Sequence, residues 1–190
     1  MSASQPDRSD GTVDANPREI GFWALVAEDR ATQEHGLWSQ GFWALFWHRF
    51  GNWRMGVRAK ALRAPLSLLY RVMVALGQRS AGIFLPYTVV VGRRVRIEHF
   101  GGMVLVAQRI GDDVTIRQNT TFGIARVAEA QDRPVIGDGV DIGAGAAILG
   151  PVRVGARAVI GANAVVVRDV PEGAVVGGVP ARALGPGPDG

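Results

Sequence analysis

From residue 110 onward the chain repeats itself every six residues, and this period constrains the fold more than any other feature of the sequence. Counting in sixes gives Ile110, Ile116, Phe122 and, after an interruption, Ile136, Ile142, Ile148, Val154, Ile160 and Val166. Glycine follows six of these nine, at Gly111, Gly123, Gly137, Gly143, Gly155 and Gly161. Four places after each apolar residue stands Val114, Thr120, Val140, Ala146, Val152, Ala158, Ala164 or Val170, with Arg126 the misfit. A helix needs a period near 3.6 and an alternating strand a period of two, so this pattern suits neither a long helix nor a hairpin meander. It suits short flat strands joined by corners, each sending one apolar side chain into a narrow prism, with small residues nearby where the backbone turns. Three sides make a coil, and stacked coils satisfy one another's backbone hydrogen bonds. The expected fold is therefore a mainly β, parallel β-helix.

Two irregularities interrupt the repeat. Read backwards, the register runs Met103, Ile97, Val91, so the step from Met103 to Ile110 is seven, which places one extra residue there. The segment GIARVAEAQDRP, Gly123 to Pro134, lacks the repeat and is polar, as a loop protruding from the wall should be.

Residues 18–80 read as an α-helical segment ahead of the β-helix domain at 81–185. Within GFWALFWHRFGNWRM, the aromatics Trp43, Phe46, Trp47, Phe50 and Trp53 recur at spacings of three and four, and are expected to pack as core against the β-helix. Residues 1–17 are polar enough to be disordered, the prolines and glycines after Val166 should close the array, and 186–190 form a loose tail.

Composition narrows the function. At 190 residues and 20.2 kDa, with 47% hydrophobic residues, the chain fits one domain plus an extension. It has no cysteine, which excludes disulfides and thiolate metal sites and suits a reducing cytoplasm. No metal site is expected. The 21 basic residues, all arginine but for Lys60, are scattered among 17 acids, so nucleic acid is not an expected partner. No signal peptide is apparent, and the longest apolar run, Ala64 to Leu76, is too short to span a bilayer and contains Arg71.

Taken together, IEHFGG, IGDDVTIRQNTTFG, the array from Val135 to Pro171 and GVPARALG, with EDRA and GFWALFWHRFGNW upstream, resemble the serine O-acetyltransferases. These belong to the hexapeptide-repeat acyltransferases, and the likeness spans roughly residues 25–185. The resemblance implies a left-handed β-helix, an exception to the usual right-handed crossover. It also implies an acetyl-CoA-dependent O-acetyltransferase, assembled as a homotrimer with active sites between neighbours.

Carried onto this chain, His99 is the general base, a role suited to an imidazole that must take a hydroxyl proton near neutral pH. Glu98 helps hold the acceptor or orients the imidazole. Asp29 contributes to the acceptor pocket, or is simply an exposed charge on a helix. Gly123, Gly143, Ala144, Gly145, Ala162 and Ala164 line the groove for CoA, or serve only corner sterics, and Arg168 and Arg182 meet its phosphates.

The chain also departs from the pattern. Phe84, in GIFLPY, stands where the family places an acid partnered with the histidine, and Asp132-Arg133-Pro134 stands where a loop supplies an Arg-His pair. Arg133 remains to bind a carboxylate. L-Serine is the leading acceptor, a sugar hydroxyl of a glycan precursor the rival, and a non-catalytic scaffold the reading from another class. The tail ends in Gly190 rather than isoleucine, so docking to cysteine synthase is not expected.

Overall fold

The structure, a computed structural model, describes residues 9–124 and 132–185. The expected tail at 186–190, the first eight residues and the loop residues 125–131 lie outside the described residues.

From Ile83 onward the chain winds through short strands that fall in turn on three sheets of five, four and six strands. All pairs are parallel except the last, where Arg182–Gly185 runs antiparallel to Val175–Gly177 and closes the final coil. Leu105, Phe122, Ile148 and Val166 stack inside the first sheet, Val91, Ile110, Ile136 and Val154 inside the second, and Ile97, Ile116, Ile142, Ile160 and Val176 inside the third. These side chains are essentially solvent-free, and burying each contributes about 1.5–3 kcal/mol. The six-residue period thus became a three-sided, left-handed parallel β-helix.

Strand pairing relocates the irregularity in the first coils. Leu105, not Met103, lies opposite Phe122, while Ile97 lies opposite Ile116. The corner from Ile97 to Leu105 therefore takes eight steps where the corner above it, Ile116 to Phe122, takes six, and the next corner, Leu105 to Ile110, takes only five. One net residue is extra, as the sequence count gave, but it arises from a two-residue insertion and a one-residue deletion. Met103 and Leu105 are both buried on either side of exposed Val104, so the hydrophobic pattern alone could not choose between them.

Among the described residues, three α-helices precede the β-helix: α1 (Phe22–Thr32), α2 (Gln40–Trp53) and α3 (Lys60–Ala81). The face that α2 turns to the β-helix is not the aromatic one. Phe42, Leu45, His48, Arg49 and Asn52 are buried, whereas Trp43 and Trp53 are exposed and Phe46, Trp47 and Phe50 lie between. The rings run along the outer side with successive centroids from Trp43 to Trp53 4.9–5.7 Å apart, edge to face as far as Phe50 and tilted between Phe50 and Trp53. The polar inner face is held by backbone carbonyls of the first coil: Arg49 donates to the carbonyls of Val91 and Gly92 at 2.7 and 2.6 Å, and His48 Nε2 meets the Val89 carbonyl at 2.9 Å, while His48 Nδ1 is buried without a partner among the described residues. Burial depresses the pKa of His48 to about 3, so this imidazole stays neutral.

Residues 9–17 of the N-terminal extension are packed in place, contrary to what their polarity suggested. Ala15 and Asn16 are buried over α2, where Ala15 N–H donates to Asn52 Oδ1 at 3.2 Å and Asn16 Nδ2 to the Arg49 carbonyl at 2.9 Å. Disorder of residues 9–17 is corrected accordingly.

Candidate active site

In the regular corners the fourth residue of each hexapeptide adopts a left-handed conformation, as at Arg94, Asp113, Asn119, Gly139, Gly145, Arg157 and Asn163. The corner after Ile97 keeps this rule at Gly102, φ 63°, and the Gly101 carbonyl accepts from Asn119 N–H at 3.0 Å, as third-position carbonyls do in the other coils. On the other side of the insertion, Glu98 N–H donates to the Ile116 carbonyl at 2.9 Å. His99 and Phe100 are the two residues left without a counterpart in the neighbouring coil. They are pushed out of the wall, both exposed, with His99 itself in the left-handed region at φ 60°.

The helical segment closes over this corner. Gln33 is buried and brackets the strand Arg96–Ile97, its Nε2 donating to the Val95 carbonyl at 2.9 Å and its Oε1 accepting from Ile97 N–H at 3.1 Å. Gly41 follows so closely that a Cβ there would stand 2.5 Å from the Ile97 carbonyl. The result is a cleft of about 190 Å³ walled on one side by Glu34, His35, Ser39 and Gln40 and on the other by Arg96, Ile97, Glu98, His99 and Phe100. The residues from 34 to 40 escaped sequence reasoning because they lie more than fifty positions from His99. The small number of histidines was the only signal that pointed to His35.

Glu98 does reach the cleft, but its carboxylate is turned to arginines rather than to the imidazole: Arg117 Nε lies 3.2 Å from Oε2 and Arg96 Nη1 3.7 Å from Oε1. Arg117 also bonds Asp141 of the next coil, whose carboxylate holds its guanidinium pKa above the ordinary value. The proposed pairing of Glu98 with His99 is therefore replaced by an ion-pair ladder running along the wall beneath the cleft.

Asp29 is not in the cleft. It is fully buried, its Oδ2 3.0 Å from Arg49 Nε and its Oδ1 3.3 Å from Nη2, so both carboxylate oxygens are spent on holding α1 to α2. That corrects both expectations for this residue, pocket ligand and exposed charge. Neighbouring Glu28 instead pairs with Arg93 at 2.6 Å, which lowers the Glu28 pKa and ties α1 to the β-helix.

Among the positions expected to line a CoA groove, Ala164 is fully buried and its methyl group fills the prism interior. Gly143 stacks so tightly that a Cβ would lie 2.5 Å from the Ala162 amide nitrogen, so coil spacing alone demands glycine there. Ala144 and Gly145 are half-buried, Ala162 is exposed on the corner, and Gly123 ends a strand beside Leu149. Arg168 and Arg182 are exposed near the end of the solenoid, and Arg133 is half-buried where the chain returns to the wall. Phe84 is exposed on the first sheet and pairs with Val104.

Comparison with known proteins gives a consistent picture. Residues 133–168 match the model of the bacterial transferase hexapeptide (six repeats). The chain is 38% identical over 146 residues to a serine acetyltransferase of Mycobacterium tuberculosis, covering 76% of this chain and 61% of that protein. Its fold superposes on soybean serine acetyltransferase complexed with serine at a TM-score of 0.70, with 30% identity, 86% of this chain and 69% of the other being covered. A serine acetyltransferase in complex with CoA superposes at 0.62 with 33% identity, over 78% of this chain and 58% of that one. The chain thus spans about six-tenths of the length of the curated relatives it matches.

Proposed function

We propose, from the premise that this chain belongs to the serine acetyltransferase-like family of hexapeptide-repeat transferases, that it transfers an acetyl group from acetyl-CoA to the hydroxyl of L-serine. The observation that carries the reading is the inserted pair His99-Phe100, which lifts an imidazole out of the wall and into a small cleft lined largely by polar residues.

The chemistry assigned to the site is direct transfer. His99 takes the proton of the acceptor hydroxyl as its oxygen attacks the thioester carbonyl, the tetrahedral intermediate collapses with cleavage of the C–S bond, and the imidazolium returns the proton to the departing thiolate of CoA. Backbone N–H groups of the corner are suited to stabilising the oxyanion. CoA is assigned to Gly123, Gly143, Ala144, Gly145 and Ala162, its phosphates to Arg168 and Arg182, and the acceptor carboxylate to Arg133. Solved relatives seen with serine and with CoA support these two ligands.

The same reading includes a homotrimer with the cleft completed by a neighbour, and a cytoplasmic location. Support for assembly comes from large apolar side chains left in solvent on the helical segment, among them Trp23, Trp38, Leu62 and Leu68. No described helix is long and apolar enough to cross a membrane.

A sugar hydroxyl is the second reading. It is favoured by Phe84 and Val104, paired and both exposed on the sheet that leaves the His99 corner, since an apolar face suits a sugar ring. Incubation with acetyl-CoA and a panel of L-serine and sugar acceptors, with products weighed by mass spectrometry, tests both. O-Acetyl-L-serine supports the first reading, acetylated sugar alone replaces it with the second, and no product with any acceptor favours a scaffold.

A further inference from the structure

Of the three histidines, His48 is buried, neutral and committed to the Val89 carbonyl. The other two, His35 and His99, lie 64 residues apart in sequence and line the same cleft. Their meeting is fixed by packing. Gln33 clasps the strand before His99 from both sides, Gly41 abuts Ile97, and His35 lies between these two anchors as the residue capping the short helix Gly36–Trp38.

The two walls of the cleft differ in how their charge is used. On the β-helix side, Glu98 is engaged by Arg96 and Arg117. On the helical side, no ion pair among the described residues ties Glu34 or His35, and both are exposed. A cavity of about 190 Å³ is smaller than the roughly 300–1,000 Å³ that holds drug-sized ligands. With carboxylates, a guanidinium and two imidazoles on its walls, it suits a small zwitterion better than a sugar chain.

We infer that His35 is an acceptor-binding residue of this site, donating a hydrogen bond to the carboxylate of the amino-acid acceptor while His99 takes the proton of its hydroxyl. The inference rests on the acetyltransferase reading above. It makes the segment between α1 and α2, rather than residues 132–134 alone, a determinant of acceptor choice, and it supplies a second imidazole to a chain that carries Asp132-Arg133-Pro134. A hydrogen bond to a charged group is among the stronger single contacts, and its loss is expected to cost about tenfold or more in kcat/KM.

The test compares L-serine with L-serinamide, which lacks the carboxylate charge, in the wild type, His35→Ala and His35→Gln. The wild type is expected to prefer L-serine. His35→Ala should lower kcat/KM for L-serine about tenfold or more, chiefly through KM, while leaving L-serinamide and the KM for acetyl-CoA within about twofold. His35→Gln, which keeps a neutral donor, should fall between. Equal losses on both acceptors would mark His35 as merely structural and overturn the inference, as would a wild type indifferent to the carboxylate or a His35→Ala variant unchanged on L-serine. A wild type that acetylates neither compound would sink the serine reading itself, a failure seen before any substitution is made.

Discussion

Asn119 donates its backbone N–H to the carbonyl of Gly101 at 3.0 Å, two residues later in the chain than an uninterrupted coil would have placed that acceptor. With the bond from Glu98 N–H to the Ile116 carbonyl on the other side, this bond defines His99-Phe100 as an insertion. Removing both residues should restore a six-step corner matching Ile116 to Phe122. The deletion variant is therefore expected to fold, with an unfolding temperature close to that of the wild type, and to lose acetyl transfer. A deletion that unfolds the protein would show that the pair holds the wall together.

Asp29 and Arg49 make a buried pair that links α1 to α2. Replacing Asp29 with Asn leaves an uncompensated guanidinium in the interior, a change that costs about 3–5 kcal/mol. Denaturant unfolding should show this loss, and any activity in the folded fraction should retain its KM for the acceptor. A selective rise in acceptor KM with stability intact would restore Asp29 to the pocket.

Gly143 separates the two roles open to the corner glycines. A Cβ there meets the Ala162 backbone, so Gly143→Ala should lower the unfolding temperature whether or not CoA is present. Were the glycine needed only for a ligand, the apo protein would be unaffected and only the KM for acetyl-CoA would rise.

His48 gives the protein a predictable response to acid. Its folded-state pKa, about 3, is depressed from 6.5, so between these values the unfolded chain binds a proton that the folded chain refuses. The stability from neutral His48 is complete above pH 6.5 and is lost as pH falls toward 3, at a slope of up to about 1.4 kcal/mol per pH unit. Urea titrations at pH 7 and pH 5 should reveal it, and His48→Asn should flatten the difference. An unchanged slope in that variant would assign the acid sensitivity to other groups.

How far these features could be read from the sequence depends on which forces set them. The β-helix was legible because one apolar position in six must fill the prism in every coil. The exact corner of the insertion was not, because Met103 and Leu105 are both apolar and only interstrand hydrogen bonds choose between them. The orientation of α2 was misread for a related reason. Aromatic spacing marks a face but not its direction, and here the inward face carries Arg49, His48 and Asn52, made tolerable by carbonyls of the first coil and by Asp29. His99 stands out as a candidate from its surroundings in sequence, whereas His35 joins it in the cleft only when Gln33 docks the helical segment on the strand beside it.

The most direct measurement is the rate of thiol release from acetyl-CoA in the presence and absence of L-serine, for the wild type and His99→Ala at equal folded concentration. Serine-dependent release that falls on the order of a hundredfold or more in His99→Ala is the expected result for a general base. Release that persists undiminished in the variant, or that ignores L-serine in the wild type, would contradict the assignment of this corner as the site of acetyl transfer to serine.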